Sequence, residues 1–116
     1  MDISRTALLK ILQIGSDVSM RGMGISLQDA ITQSRYKELR SAFTPADLVP
    51  LIQANSQLAQ EWLSYSEDKR TSGGWYLLES GQIGEIGGSQ LKFPSTQLAV
   101  ANYVVRELDF WAGVGG

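Results

Sequence analysis

The sequence predicts a single α+β domain: three N-terminal helices, a small antiparallel β-hairpin or three-stranded meander, and a C-terminal helix packed on one sheet face. Apolar residues recur at helical spacing in three segments before residue 70 and in one after residue 94. Between them, residues 75–78 form an aromatic and aliphatic run bounded by turn residues, which is typical of a strand. At 116 residues, the chain is one domain and is long enough for a hydrophobic core of its own.

The first two helices are predicted over residues 4–20 and 26–42. Apolar residues recur at helical spacing in both segments, and Gly15 weakens the middle of the first helix or ends it. Ser26 is a good N-cap for the second helix, and Asp29 stands three positions on, as in a capping box.

The third helix has the clearest start signal, but a proline complicates it. Thr44, Pro45 and Asp47 are typical of a cap, a first-turn proline and an acidic third position. A helix that begins at Pro45 would hold Pro50 in its interior, at a cost of up to about 3 kcal/mol. We therefore favour a helix over residues 48–67 with Asp47 as its cap, because Pro50 then falls in the first turn.

The third and last helices carry the two most regular apolar stripes in the chain. Trp62 and Leu63 lie on the first stripe, and Val105 and Leu108 lie on the second. We expect these four side chains to be buried together, so Trp62 is interpreted as a core residue rather than a ligand platform. Asn55 is the one polar residue on its stripe, and its amide needs hydrogen-bond partners if it is buried.

The hairpin is expected to turn at Ser80-Gly81, a turn dipeptide. A two-residue loop at that point pairs Leu78 with Ile83 and Tyr76 with Glu85. In this register, one face carries Trp75, Leu77, Gly84 and Ile86, and the other carries Tyr76, Leu78, Ile83 and Glu85.

After the hairpin, residues 90–93 can form a third short strand. Ser95 or Thr96 then caps a last helix that runs to about residue 112. Gly113 is the natural terminator of that helix, because glycine readily adopts the left-handed conformation that ends helices.

The composition excludes several kinds of chemistry. The chain has no Cys and no His, so disulfides, thiolate metal sites and Ser–His or Cys–His nucleophilic catalysis are impossible. Residues 81–88 are glycine-rich, but they have neither a P-loop ending nor a helix directly after them. We therefore expect no cofactor and no tightly bound transition metal, while Mg²⁺ or Ca²⁺ binding by carboxylates stays open.

The N-terminal 15 residues do not form a signal peptide, because Asp2, Arg5 and Lys10 interrupt the apolar sequence. No apolar run approaches the roughly 18 residues that a membrane span needs. We therefore expect a cytoplasmic protein with no membrane partner, unless a secretion machine that leaves no cleavable signal exports it.

The charge balance bears on nucleic-acid binding. The formal net charge is -2, whereas a protein that binds nucleic acid without sequence preference is normally basic. Arg35, Lys37 and Arg40 lie on the outer side of the second helix, where we interpret them as a solvated face. A nucleic-acid site would need them to join Lys69 and Arg70 on one surface, so a nucleic-acid partner is not expected.

The hairpin and the loop before it are the predicted partner-binding surface. Trp75 and Tyr76 are adjacent and point to opposite faces of a strand, so we expect one in the core and the other at the surface. An exposed aromatic residue with a charged rim suits a protein interface. The expected charged rim consists of the carboxylates Glu79 and Glu85 and of an ionic loop over residues 67–70, in which Glu67 and Asp68 are the acidic members.

Residues 71–108 resemble the C-terminal half of small immunity proteins from bacterial toxin–immunity systems. The sequence TSGGWYLLES, a glycine-rich return strand and then FPSTQLAVANYVVREL are similar to that family's Trp-Tyr strand and to its final helix introduced by Phe and Ser. The resemblance implies a small cytoplasmic protein that binds and blocks one cognate toxin. It carries over no site residues, because such families diverge heavily.

We therefore predict a non-enzymatic protein-binding domain, and our leading hypothesis is an immunity-type inhibitor. A phage-encoded inhibitor of a host defence complex would have an equally featureless sequence, so that alternative stays open. A small enzyme that works through carboxylates is the other alternative, and it would gather several of Tyr76, Glu79, Glu85 and Arg106 in one deep polar pocket. In the expected register, Glu79 and Glu85 point to opposite faces, which argues against a catalytic pair.

Overall fold

The protein has a helical N-terminal part, a three-stranded antiparallel sheet and a long C-terminal helix, so the α+β class is confirmed. A computed structural model describes residues 4–19, 26–68, 73–78 and 81–114. The helices are α1 (Arg5–Leu12), α2 (Ile14–Ser19), α3 (Leu27–Ser34), α4 (Tyr36–Leu39), α5 (Pro45–Ala54), α6 (Gln57–Asp68) and α7 (Thr96–Ala112), with a 3-10 turn at Arg40–Ala42. The strands are β1 (Trp75–Leu77), β2 (Gln82–Glu85) and β3 (Gln90–Lys92), and they pair in that order.

The first predicted helix is divided into α1 and α2 at Gln13. Ser4 caps α1, since its side-chain oxygen accepts a hydrogen bond from the Ala7 N–H at 3.1 Å. Gly15 lies inside α2 and faces the Trp62 ring, where a Cβ atom would stand 2.8 Å from a ring carbon. Gly15 therefore permits the close packing of α2 on α6.

The second predicted helix is divided at Arg35, which adopts the left-handed conformation with φ 60°. This conformation costs a non-glycine residue roughly 1–2 kcal/mol. The Ser26 cap is confirmed, because its side chain accepts a hydrogen bond from the Asp29 N–H at 3.1 Å. The turn at Arg35 leads into α4, where Tyr36 is fully buried and donates a hydrogen bond to Asp109 at 2.7 Å.

The third predicted helix begins at Pro45, so the favoured start at residue 48 is wrong. The Thr44 N–H donates a hydrogen bond to the Asp47 carboxylate at 2.8 Å, which completes a capping box around the first turn. Pro50 therefore lies inside α5, on its exposed side. Asn55 is exposed and ends α5, so its amide needs no buried partner, and the predicted single helix over residues 48–67 is divided into α5 and α6. The described residues thus form six helices before the sheet, where the sequence predicted three.

The hairpin register differs from the expected one by one residue. Trp75 pairs with Glu85, and Leu77 pairs with Ile83. The Leu78 N–H donates to the Gln82 carbonyl at 2.9 Å, so three residues rather than two separate these paired positions. A one-residue slip moves side chains to the other face. The predicted faces are therefore wrong, and Glu85 shares a face with Trp75.

The sheet has an inner face on the core and an outer face at the surface. The inner residues Trp75, Leu77 and Ile83 are buried in one core with residues of the helices, and α6 and α7 contact β1. The predicted burial of Trp62, Leu63, Val105 and Leu108 in this core is confirmed. By strand alternation, the outer face carries Tyr76, Leu78, Gln82, Gly84, Ile86, Gln90 and Lys92.

The last helix agrees with its local signals. Ser95 caps α7, because its side chain accepts a hydrogen bond from the Leu98 N–H at 3.1 Å. Gly113 ends α7 in the left-handed conformation with φ 71°. Among the helices that the structure describes, none is long and apolar enough to cross a membrane.

Candidate protein-binding surface

Tyr76 is the central residue of the outer sheet face. Its ring lies across Gly84 of the neighbouring strand, so closely that a Cβ atom at position 84 would overlap the phenol. The Tyr76 hydroxyl accepts a hydrogen bond from Gln90 Nε2 at 2.9 Å, and Gln90 Oε1 accepts one from Gln82 Nε2 at 3.0 Å. The glycine and this row of hydrogen bonds hold the ring in one orientation across the three strands.

Two exposed apolar side chains flank Tyr76. Leu78 is 44% exposed and Ile86 is 38% exposed; among the described residues, the other exposed large hydrophobic side chain is Phe110, at 47%. Leu78 lies two residues beyond Tyr76 on one side, and Ile86 lies two residues beyond Gly84 on the next strand. Each is therefore roughly 7 Å along the strand from the central pair. The outer face thus carries an apolar patch whose members lie at neighbouring positions of two strands: Leu78, Tyr76 and Ile86.

Trp75 is the core member of the aromatic pair. It is only 9% exposed, and the Arg106 guanidinium lies over its ring at 5.0 Å from the centroid. A cation in this position is attracted by the electron-rich ring face. Trp75 therefore cannot act as the exposed anchor, and Tyr76 is the aromatic residue that reaches the surface.

Side chains of two helices close the outward edge of β1. The Trp75 N–H donates to Glu107 Oε1 at 2.8 Å, and the Leu77 N–H donates to the Ser66 hydroxyl at 2.8 Å. These two amides point away from β2, because the flanking positions 74, 76 and 78 make the ladder hydrogen bonds. Ser66 and Glu107 therefore occupy the place of another strand.

Glu107 is the residue that the sequence reasoning missed. It is fully buried in α7, and besides the Trp75 amide it accepts a hydrogen bond from the Tyr65 hydroxyl at 2.7 Å. Burial, together with the charge of Glu107, raises the pKa of Tyr65, and the same two causes raise the pKa of Tyr103. The burial of Glu107 could have been predicted from its position, because Glu107 lies on the same helical stripe as Val104 and Leu108.

Glu85, one member of the predicted charged rim, does not share the sheet face of Tyr76. Glu85 is exposed on the inner side of β2, and its carboxylate lies against Gly88 in the following turn. Glu67 is exposed near the end of α6. Asp68 ends α6, but its side chain lies outside the described residues, as does Glu79.

Only part of the predicted solvated face of the second helix, which consists of Arg35, Lys37 and Arg40, is exposed to solvent. Arg40 Nε donates to the Asp109 carboxylate at 2.8 Å, and Arg40 Nη1 donates to the Phe43 carbonyl at 3.2 Å. Arg40 is therefore engaged within the fold, whereas Arg35 and Lys37 remain exposed. Lys69 and Arg70, the other two cations of the nucleic-acid alternative, lie outside the described residues.

Tyr76 and Arg106, two residues of the enzymatic alternative, lie on different faces of the sheet. Tyr76 lies on the outer face and Arg106 contacts Trp75 on the inner face, so the two do not share a pocket. Within the described ranges, no group of three or more acidic side chains is placed to hold a metal ion. A polar cleft of about 210 Å³ lies elsewhere, lined by Gln13, Ser16, Asp17, Asn55, Gln57, Leu58 and Glu61.

No known protein family, curated protein or solved structure matches this chain. The function of the chain must therefore be inferred from its own surface. On the outer face of the sheet, an oriented aromatic ring, Tyr76, has the exposed apolar neighbours Leu78 and Ile86.

Proposed function

We propose that this chain is a protein-binding domain that docks its partner on the outer face of the sheet. The observation that carries the proposal is the exposure of Leu78 and Ile86 on either side of Tyr76. Single exposed apolar residues are normal on a protein surface, whereas a contiguous apolar patch is typical of an interaction site. Aromatic residues at the centre of such patches contribute most of the binding energy in many interfaces.

The patch is organised before any partner arrives. Gly84 and Gln90 hold the Tyr76 ring, so binding loses less side-chain entropy than it would for a freely rotating aromatic residue. Gln82, Gln90 and Lys92 border the apolar patch with polar groups on its β2 and β3 side. This arrangement of an apolar centre and a polar rim is that of protein–protein interfaces.

The expected partner is a bacterial toxin, and the expected role is its inhibition. The resemblance of residues 71–108 to immunity proteins supports this class of partner. A phage-type inhibitor of a host defence complex could bind through the same surface. The identity of the bound protein distinguishes the two roles.

The test measures binding to the protein encoded beside the gene for this chain, by titration calorimetry. We expect Tyr76→Ala to weaken binding by about 2 kcal/mol or more, and Leu78→Ser and Ile86→Ser to weaken it by lesser amounts. Phe110→Ser is the matched control, because Phe110 is at least as exposed as Leu78 and Ile86 but lies in α7. Its affinity should equal that of the unmodified chain.

Thermal melts of all four variants check that the fold is retained. Loss of affinity in Phe110→Ser, with full affinity in the three sheet variants, would move the site off the outer face. A neighbouring gene product that does not bind would contradict the immunity role.

A further inference from the structure

The free edge of β3 differs from the edge of β1. The Glu85 N–H donates to the Ser89 carbonyl at 2.9 Å, and the Phe93 N–H donates to the Gly81 carbonyl at 3.0 Å. In an antiparallel pair, hydrogen-bonded and non-hydrogen-bonded positions alternate. The backbone N–H and C=O groups of residues 90 and 92 therefore point away from β2, toward the open edge.

No group in the described part of the chain bonds to these outward amides and carbonyls. Gln90 and Lys92 are both exposed, whereas the equivalent amides of β1 are bonded to Ser66 and Glu107. The chain thus closes one edge of its sheet with side chains of α6 and α7, whereas none of the residues that the structure describes bonds to the other edge. Open edges with outward backbone groups are the sites at which extended peptides add to sheets.

We propose that the edge of β3 receives an extended segment of the partner protein, which adds to the sheet as a fourth strand. This inference rests on the proposed function, because the added strand would continue the outer face on which Tyr76 lies. The strand would bond to four backbone groups, the N–H and C=O of Gln90 and of Lys92.

The side chains of β3 define the chemistry of that segment. Lys92 lies on the outer face and makes no ion pair with any described residue, so a carboxylate opposite it would be complementary. Leu91 points inward and is half-buried, so an apolar side chain opposite it would complete its burial. The partner segment therefore alternates between acidic or polar residues on the outer side and apolar residues on the inner side.

The small size of β3 favours a partner protein over a second copy of this chain. Pairing of two three-residue strands would bury far less than the roughly 1,200 Å² of a stable interface. A different protein that also covers the outer face can reach that area. The short edge and Lys92 also deter indiscriminate strand pairing, so recognition depends on a complementary sequence.

The experiment uses random linear peptides displayed on phage, selected against the complete chain and then resynthesised for calorimetry. Lys92→Pro is the central variant, because proline removes an N–H that β2 does not use and can sit on an edge strand. We expect Lys92→Pro to weaken the binding of the selected peptides at least about tenfold, since the substitution removes a hydrogen bond and adds a steric clash. Lys92→Ala is the matched control, because it keeps the backbone N–H, and its affinity for the peptides should fall only a few-fold.

A second measurement does not depend on how the protein tolerates proline. Each selected peptide is methylated at one backbone nitrogen at a time, and methylation should abolish binding at every second position. Selection of no peptides, or peptides that bind Lys92→Pro as well as the unmodified chain, would overturn strand addition. If such peptides lose affinity only in Tyr76→Ala, the outer face is still the docking site and the edge is not.

Discussion

Glu107 offers the sharpest test of how the sheet is held. Its carboxylate accepts hydrogen bonds from the Trp75 amide and the Tyr65 hydroxyl, both inside the core. Glu107→Leu would fill a similar volume but leave both donors without this acceptor. Each buried donor that loses its partner costs about 1–3 kcal/mol, so the free energy of unfolding should fall by about 2–6 kcal/mol. That is a large part of the 5–15 kcal/mol typical of whole domains.

A double-mutant cycle isolates the contact with Tyr65. Tyr65→Phe should cost about 1–2 kcal/mol in the unmodified chain, but little or nothing in Glu107→Leu, where the hydroxyl has already lost this acceptor. Urea unfolding followed by circular dichroism measures all four proteins. Additive costs, or a loss below about 1 kcal/mol in Glu107→Leu, would refute the role of the carboxylate as the acceptor that anchors β1.

Three further predictions concern the core, alkaline pH and metals. Trp62→Ala should cost about 3–5 kcal/mol in urea unfolding, because Trp62 is fully buried and donates to the Leu12 carbonyl; a cost below about 1 kcal/mol would contradict this packing. Burial, with nearby carboxylates, raises the pKa of Tyr36, Tyr65 and Tyr103 above that of an unfolded chain. The unfolded state therefore releases protons first, and above about pH 10 the unfolding free energy should fall by up to about 1.4 kcal/mol per pH unit for each tyrosine; unfolding curves between pH 9 and 11 that coincide would disprove this. Melting temperatures with Zn²⁺ and with EDTA should agree, and a large metal-dependent shift would reveal a site that the sequence does not predict.

Local signals in the sequence predicted the elements whose formation depends on near neighbours. The caps at Ser26 and Ser95 and the terminator at Gly113 each work within one helical turn, so their residue types suffice. The apolar stripes likewise placed Trp62 and Leu108 in the core, because helical spacing alone puts them on one face.

Only the tertiary structure decided the features that depend on distant parts of the chain. Gly15 allows α2 to pack against Trp62 of α6, which lies more than forty residues away in the sequence. Its sequence neighbours show nothing of this contact and suggest only a weak helix. The length of the hairpin loop set the register. A difference of one residue moved both Ile83 and Glu85 from the predicted face of Tyr76 to the face of Trp75. Which sheet edge is closed depends on which helices lie beside it. Ser66 on α6 and Glu107 on α7 bond to the outward amides of β1, whereas no described residue bonds to those of β3. The elements that pack beside a sheet edge satisfy its backbone groups, and no sequence period specifies those contacts.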